Sequence, residues 1–202
     1  MTSGDALTSG DVGGASGVTR SRGPLLAVID MQRIFGDPDS PWCAPRFGEV
    51  VEPVRRLARA FGDRVVYTRF VAPEVPTGSW RDYYQRWPFA LLPPDAPVYQ
   101  VADAVRPQPG PTLDATTFGK WGDALAERVG DAGVLVLAGV STDCCVLSTA
   151  LAAADAGVRV LVASDACAGV SDESHEQALA ILRLYAPQIE VLTVAELIPA
   201  GG

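Results

Sequence analysis

Apolar residues along this chain fall in short blocks that switch between two periods. Residues 24–31, PLLAVIDM, form a continuous apolar run that ends in an acid. A run without alternation suits a central parallel strand covered on both faces. Residues 64–70 (RVVYTRF), 134–137 (VLVL) and 158–163 (VRVLVA) share this β-branched character, and residues 189–193 repeat it in shorter form. Between these blocks the period changes. Val50, Val54, Leu57, Ala58 and Phe61 recur at helical spacing, with Arg55, Arg56 and Arg59 left for a solvated face. Residues 121–129 and 142–156 read as further helices, the second closed by Gly157. Ser171, followed by Asp172, Glu173 and Ser174, caps a helix through about Tyr185, and residues 194–198 form a last helical turn. Residues 111–121, PTLDATTFGKW, read as a short strand and a turn.

Strand and helix therefore alternate, with crossovers long enough for parallel connection. The expected fold is α/β: a single doubly wound domain over residues 24–202, with a mostly parallel sheet of about six strands in a Rossmann-like three-layer arrangement. Residues 1–23 are rich in Gly, Ser and Thr with almost no large apolar side chain, and read as a disordered tail. Two segments break the alternation. Residues 32–47 hold three prolines and read as a loop, from which Phe35 and Trp42 are candidates to line a pocket. Residues 71–97 hold Trp80, Tyr83, Tyr84, Trp87 and Phe89 between prolines. A long aromatic loop in an α/β domain serves as a lid or pocket wall, as a satellite core, or as a subunit interface.

Composition narrows the class. With 202 residues, 48% hydrophobic and 20% charged, the chain is long enough for one large core. A net charge of −8 argues against sequence-independent nucleic-acid binding. Four cysteines (Cys43, Cys144, Cys145, Cys167) show no framework spacing, so they read as reduced thiols of a cytoplasmic protein. No C-x-x-C pair is present and His175 is the single histidine, so no metal is expected. No stretch suits a membrane span. Neither G-x-G-x-x-G after the first strand nor G-x-x-x-x-G-K-[ST] occurs, so no phosphate cradle and no cofactor are expected.

Three strand ends carry reactive groups: Asp30, the Lys120 region, and Cys144/Cys145. In a parallel sheet those ends lie on one edge, where α/β proteins place their ligands. Asp30 reads either as a capping acid or as a carboxylate held at that edge. Lys120 is the one lysine beside fifteen arginines, and reads either as an ordinary surface residue or as a site residue. The two cysteines sit where a strand hands over to a helix, whose N-terminus favours a thiolate; the alternatives are two small buried residues or a vicinal disulfide. Thiol, carboxylate and ammonium together suit nucleophilic catalysis, with backbone N–H groups at the turn to hold an oxyanion.

Two motifs carry a resemblance to a known family. Val28-Ile29-Asp30-Met31-Gln32 and Gly139-Val140-Ser141-Thr142-Asp143-Cys144-Cys145-Val146 resemble the first-strand and nucleophile-turn motifs of the isochorismatase-like hydrolases, in their cysteine-hydrolase branch of amidohydrolases. The similarity runs from about residue 24 to 198. It implies that Cys145 is the nucleophile and Asp30 the catalytic acid. It also implies a cis peptide at Val140–Ser141 and oxyanion donation from the backbone N–H groups of Ser141 and Cys145. The family lysine aligns near Asp114 or Ala115, so Lys120 stands five residues late. Metal-binding nicotinamidases of this family carry histidines after the second strand. Here that stretch is Tyr67-Thr68-Arg69-Phe70-Val71-Ala72-Pro73, and His175 reads as structural.

The expected activity is hydrolysis of a small-molecule amide, ureide or carbamoyl C–N bond through a thioester. The rivals are an isochorismatase-type vinyl-ether hydrolase and a non-catalytic thiol or binding module of the same fold. Phe35, Trp42, Trp80, Tyr83, Tyr84 and Trp87 are the pocket candidates. The expected partners are a small-molecule substrate and a second copy of the chain, as a dimer or tetramer, with neither nucleic acid nor membrane.

Overall fold

The computed structural model describes residues 23–106 and 112–198. The expected tail, Gly23 apart, lies outside the described residues, as does Pro111 at the start of the expected third strand. Six strands form one sheet among the described residues: β1 (Leu25–Ile29), β2 (Val65–Phe70), β3 (Thr112–Ala115), β4 (Val134–Val140), β5 (Arg159–Ala168) and β6 (Ile189–Leu192). Their spatial order is β3-β2-β1-β4-β5-β6 and every adjacent pair is parallel. The order reverses between β1 and β4, so the ligand-binding crevice of such a sheet belongs at the C-terminal ends of those two strands.

Burial explains why β1 lacks polar alternation. Leu25, Ala27 and Ile29 pack on one face against α4 (Asp123–Val129), α5 (Leu147–Asp155) and α6 (Asp172–Arg183), through Leu125, Ala150, Ala153 and Leu179. Leu26 and Val28 pack on the other face against α2 (Phe47–Phe61) and α7 (Val194–Leu197), through Val50, Val54, Leu57 and Val194. Both faces are covered, and each fully buried Leu, Val or Ile contributes about 1.5–3 kcal/mol. Among the described residues, no helix is long and apolar enough to cross a membrane.

Four elements depart from expectation. β5 runs on through Ser164 and Asp165 to Ala168 instead of stopping at Ala163. Its polar residues lie in a bulge, since Leu137 pairs with Val162 but Gly139 pairs with Cys167. There the Ser164 hydroxyl donates to Leu192 O (3.1 Å) and Asp165 Oδ1 accepts the Val194 N–H (2.7 Å), so both tie β5 to the β6–α7 junction. The loop of residues 32–47 contains a short helix, α1 (Arg33–Gly36), and the aromatic segment contains α3 (Trp80–Arg86). The helix expected from Thr142 opens with a π turn, Thr142–Val146, before α5 begins.

Gly139 fixes how closely the two central strands approach. Its φ is +117°, and a Cβ there would lie 2.1 Å from Ile29 O. Only glycine permits that backbone contact at the switch point.

Candidate active site

β1 ends by turning Asp30 into a left-handed conformation, φ +46°. Such a conformation costs a non-glycine residue about 1–3 kcal/mol and persists where its surroundings over-determine it. Thr68 on β2 does so twice. Its hydroxyl accepts the Asp30 N–H (3.1 Å) and donates to Asp30 Oδ1 (2.7 Å). Gln32, fully buried, supports the same strand exit. Its amide nitrogen donates to Phe70 O (3.0 Å) and Tyr99 O (2.8 Å), and its oxygen accepts the Phe70 N–H (2.8 Å). Neither Thr68 nor Gln32 stands out in the sequence as a site residue, because each works through partners at least 38 positions away, a distance that no local pattern encodes.

Lys120 reaches Asp30. Its Nζ lies 2.9 Å from Asp30 Oδ2, with the two side chains 1% and 0% exposed. Nζ also donates to Thr117 O (2.7 Å) and sits 5.0 Å from the centre of the Phe70 ring. The turn carrying Lys120 is held against α5: the Lys120 N–H donates to Thr149 Oγ1 (2.9 Å), whose hydroxyl donates to Cys145 O (2.6 Å). Thr149 therefore joins the lysine turn to the cysteine turn. Asp114, at the family's expected lysine position, faces elsewhere and forms a two-pronged ion pair with Arg69.

β4 leads through a cis Val140–Ser141 peptide into the π turn that carries both thiols. Ser141 O accepts from the N–H groups of Cys144 and Val146 (3.1 Å each). Cys145 is 4% exposed and its thiol is pushed well up. The causes are a hydrogen bond with the Cys144 thiol, then burial, then the Asp30 carboxylate, with Lys120 opposing. The same thiol–thiol bond lowers Cys144. The expectation of a thiolate stabilised by a helix N-terminus is thus corrected for Cys145. The turn is π rather than α, and the hydrogen bond with the Cys144 thiol together with burial favours the protonated Cys145 sulfur. All four cysteines are free, so Cys144 and Cys145 form no vicinal disulfide.

Cys145, Cys144 and Ser141 line a cavity of about 360 Å³ whose remaining wall includes Phe35, Trp42, Tyr83 and Trp87. Phe70, Phe118, Pro41, Cys43 and Val170 complete it, none of them a sequence candidate. Trp80 and Tyr84 require correction. Tyr84 is 3% exposed and points into a satellite core with Ile34, Phe70 and Tyr99. Trp80 packs behind the wall, its ring 5.1 Å from Tyr83 and 5.0 Å from Phe118. Tyr83 on α3 and Trp87, the residue that follows the helix, both reach the cavity.

His175 Nδ1 lies 2.8 Å from Thr142 Oγ1, so the one histidine braces the cysteine turn from behind. Beside it, Asp143 Oδ1 accepts the Val170 N–H (3.0 Å). The stretch after β2 offers only Val71, Ala72 and Pro73, so it does not fit a metal. Among the described residues, no three His, Cys, Asp or Glu side chains are grouped to hold one.

Comparison with known proteins agrees with this architecture. Among solved structures the chain is similar to a cysteine hydrolase from Pseudomonas syringae pv. phaseolicola 1448A, at 23% identity over 86% of this chain and 90% of that one, TM-score 0.75. It is similar to a nicotinamidase/pyrazinamidase from Bacillus subtilis, at 21% identity over 84% and 98%, TM-score 0.68. It is also similar to the MAR1 ribonuclease from Caenorhabditis elegans, at 19% identity over 87% and 79%, TM-score 0.65. Identities this low speak for the fold alone. No curated protein matches the chain significantly. The isochorismatase domain model, however, matches residues 24–196. With that match across most of its length, the chain belongs to the isochorismatase family of hydrolases.

Proposed function

We propose that this protein hydrolyses a C–N bond of a small amide, ureide or carbamoyl compound, with Cys145 as nucleophile, Asp30 as proton carrier and Lys120 as the cation that holds Asp30. One observation carries the proposal: the buried Lys120–Asp30 pair, 2.9 Å apart, bears on the thiol of Cys145, the cysteine that lines the cavity. The resting thiol keeps its proton, so attack is coupled to its transfer. Asp30 takes the Cys145 proton as sulfur bonds to the substrate carbonyl carbon. The oxyanion is held by the backbone N–H groups of Ser141 and Cys145. The C–N bond breaks, and Asp30 returns the proton to the leaving nitrogen. Water then adds to the thioester, giving a proton to Asp30. Collapse releases the acid and restores the thiol.

The nicotinamidase neighbour is named for an amide substrate, in keeping with this chemistry. The ribonuclease neighbour is weighed against by a net charge of −8 and a cavity wall without a basic side chain. Intact-mass spectrometry against a panel of amides, ureides and carbamoyl compounds tests the proposal. An acyl adduct on Cys145, absent from Cys145→Ala, is expected. Asp30→Asn should lower turnover about 10²–10⁴-fold, the usual share of general acid–base catalysis. Amidase turnover that survives Cys145→Ala overturns the mechanism.

A further inference from the structure

The wall of the cavity says more about the substrate than its chemistry does. Of the residues lining it, none is Asp, Glu, Lys, Arg or His. Its polar groups are neutral: indole N–H groups, the Tyr83 phenol, Ser141 and the thiols. Burial pushes the Tyr83 phenol well up, so it stays uncharged. The nearby cations are already engaged. Lys120 is held by Asp30 and Thr117 O, Arg69 by Asp114, and Arg86 lies over the Trp87 ring at 5.3 Å. An anionic group entering this space would lose water and find no free counter-charge, a heavy cost. The chain's net charge of −8 adds long-range repulsion.

The rings pack on one another and present an apolar wall. Trp42 stacks on Phe35 (6.0 Å, 11°) and Phe70 stacks on Phe118 (6.1 Å, 9°). Trp42 also meets Phe70, Tyr83 and Trp87 at 5.8–6.2 Å. A volume of about 360 Å³ holds roughly a dozen waters' worth of space. That is room for a fused aromatic ring with its carboxamide.

We infer that the site selects uncharged carboxamides with an apolar acyl group, and excludes carboxylate-bearing amides of the same shape. Trp42 acts as the specificity-determining residue. The carboxamide part rests on the hydrolase assignment above; the uncharged, apolar part rests on the wall alone.

Two probes test it: 2-naphthamide and the same molecule carrying a 6-carboxylate. Calorimetric binding to Cys145→Ala reads the wall without turnover. The neutral amide should bind at least about 30-fold more tightly, from the unpaired-charge cost. Trp42→Leu should weaken the neutral probe about tenfold, in the range for losing an aromatic contact. Val170 lines the cavity but is 53% exposed, so Val170→Arg is a surface change and places a cation at the wall. It should narrow the preference by about tenfold or more, since each 1.4 kcal/mol of new pairing is a factor of ten. Equal or tighter binding of the carboxylate probe, or no binding of the neutral one, overturns the inference. Wild-type turnover is read separately. If the neutral probe binds but no Cys145-dependent hydrolysis of any amide follows, the wall's selectivity stands and the hydrolase assignment fails.

Discussion

Removing one member of the Asp30–Lys120 pair should damage the protein more than removing both. The pair is 2.9 Å apart with both side chains essentially inaccessible. At an effective dielectric of about 20, two unit charges at that separation attract by roughly 6 kcal/mol. Desolvating each ion costs several kcal/mol, so the intact pair is close to neutral in net stability. Deleting one partner leaves the other charge buried and unpaired, at about 3–5 kcal/mol. Lys120→Met keeps the apolar stem and removes the charge. Asp30→Asn keeps an acceptor for the Thr68 hydroxyl.

For a domain of this size each kcal/mol shifts the midpoint by about 2–4 °C. Each single variant should therefore melt roughly 6–20 °C below wild type. The double variant leaves no unpaired charge and should melt nearer to wild type than either single. Thermal unfolding of all four proteins by circular dichroism at pH 7 measures the cycle. If the two single losses simply add in the double variant, the pair is not coupled in the way described. A Lys120→Met midpoint within about 2 °C of wild type would refute the burial argument itself, since that is under 1 kcal/mol.

Three further outcomes are expected. Thr149→Val leaves the Lys120 N–H and the Cys145 carbonyl without their partner, at about 1–3 kcal/mol each; it should lower the melting midpoint and turnover together, and Thr149→Ser should restore both. Gly139→Ala places a Cβ 2.1 Å from Ile29 O at a φ of +117°, so soluble folded yield should collapse; a well-folded variant would show the central strands free to separate. His175 has its pKa lowered, chiefly by burial. The native state thus binds protons less readily than the unfolded chain. Its contribution is whole above the ordinary value of about 6.5 and is lost as pH falls through the native value. Urea midpoints from pH 8 to 5 should fall more steeply for wild type than for His175→Gln, and identical slopes would exclude this role.

The sheet was legible because burial on both faces leaves a sequence trace. Leu25 to Ile29 carry no polar residue, and α2 shows its apolar stripe at Val50, Val54 and Leu57. Asp30 and the Cys144/Cys145 pair could be picked out as candidates because each sits at a strand end, where parallel topology gathers side chains, and the choice of Cys145 within the pair came from the motif resemblance. Lys120 drew attention by being unique, yet its place beside Asp30 depends on Thr149, 29 residues away. No spacing rule encodes that contact. The phase of α3 was hidden for a different reason. Trp80, Tyr83, Tyr84 and Trp87 are all aromatic, so composition cannot separate the ring facing the cavity from the ring facing the core. The thiolate expectation missed at Cys145 because a local rule sees a helix start and not the hydrogen bond between the two thiols or the burial of the second.

Charge conservation links the proton path to the cavity wall. At rest the site holds a neutral thiol, a carboxylate and an ammonium, which sum to zero. In the proposed mechanism the Cys145 proton passes to Asp30 as sulfur bonds to the carbonyl carbon, which leaves an oxyanion, a neutral acid and the same ammonium, which also sum to zero. The negative charge then moves from the Asp30 carboxylate to the substrate oxyanion between the Ser141 and Cys145 N–H groups. A site that only relocates charge can be enclosed by Trp42, Phe70 and Phe118 without bringing in solvent or a further counter-ion. A substrate carboxylate would add one uncompensated charge to that sum at every step. The neutral wall and the neutral resting thiol are therefore two sides of one electrostatic arrangement. An arginine at position 170, on the wall itself, would supply the missing counter-charge and should shift substrate choice toward carboxylate-bearing amides.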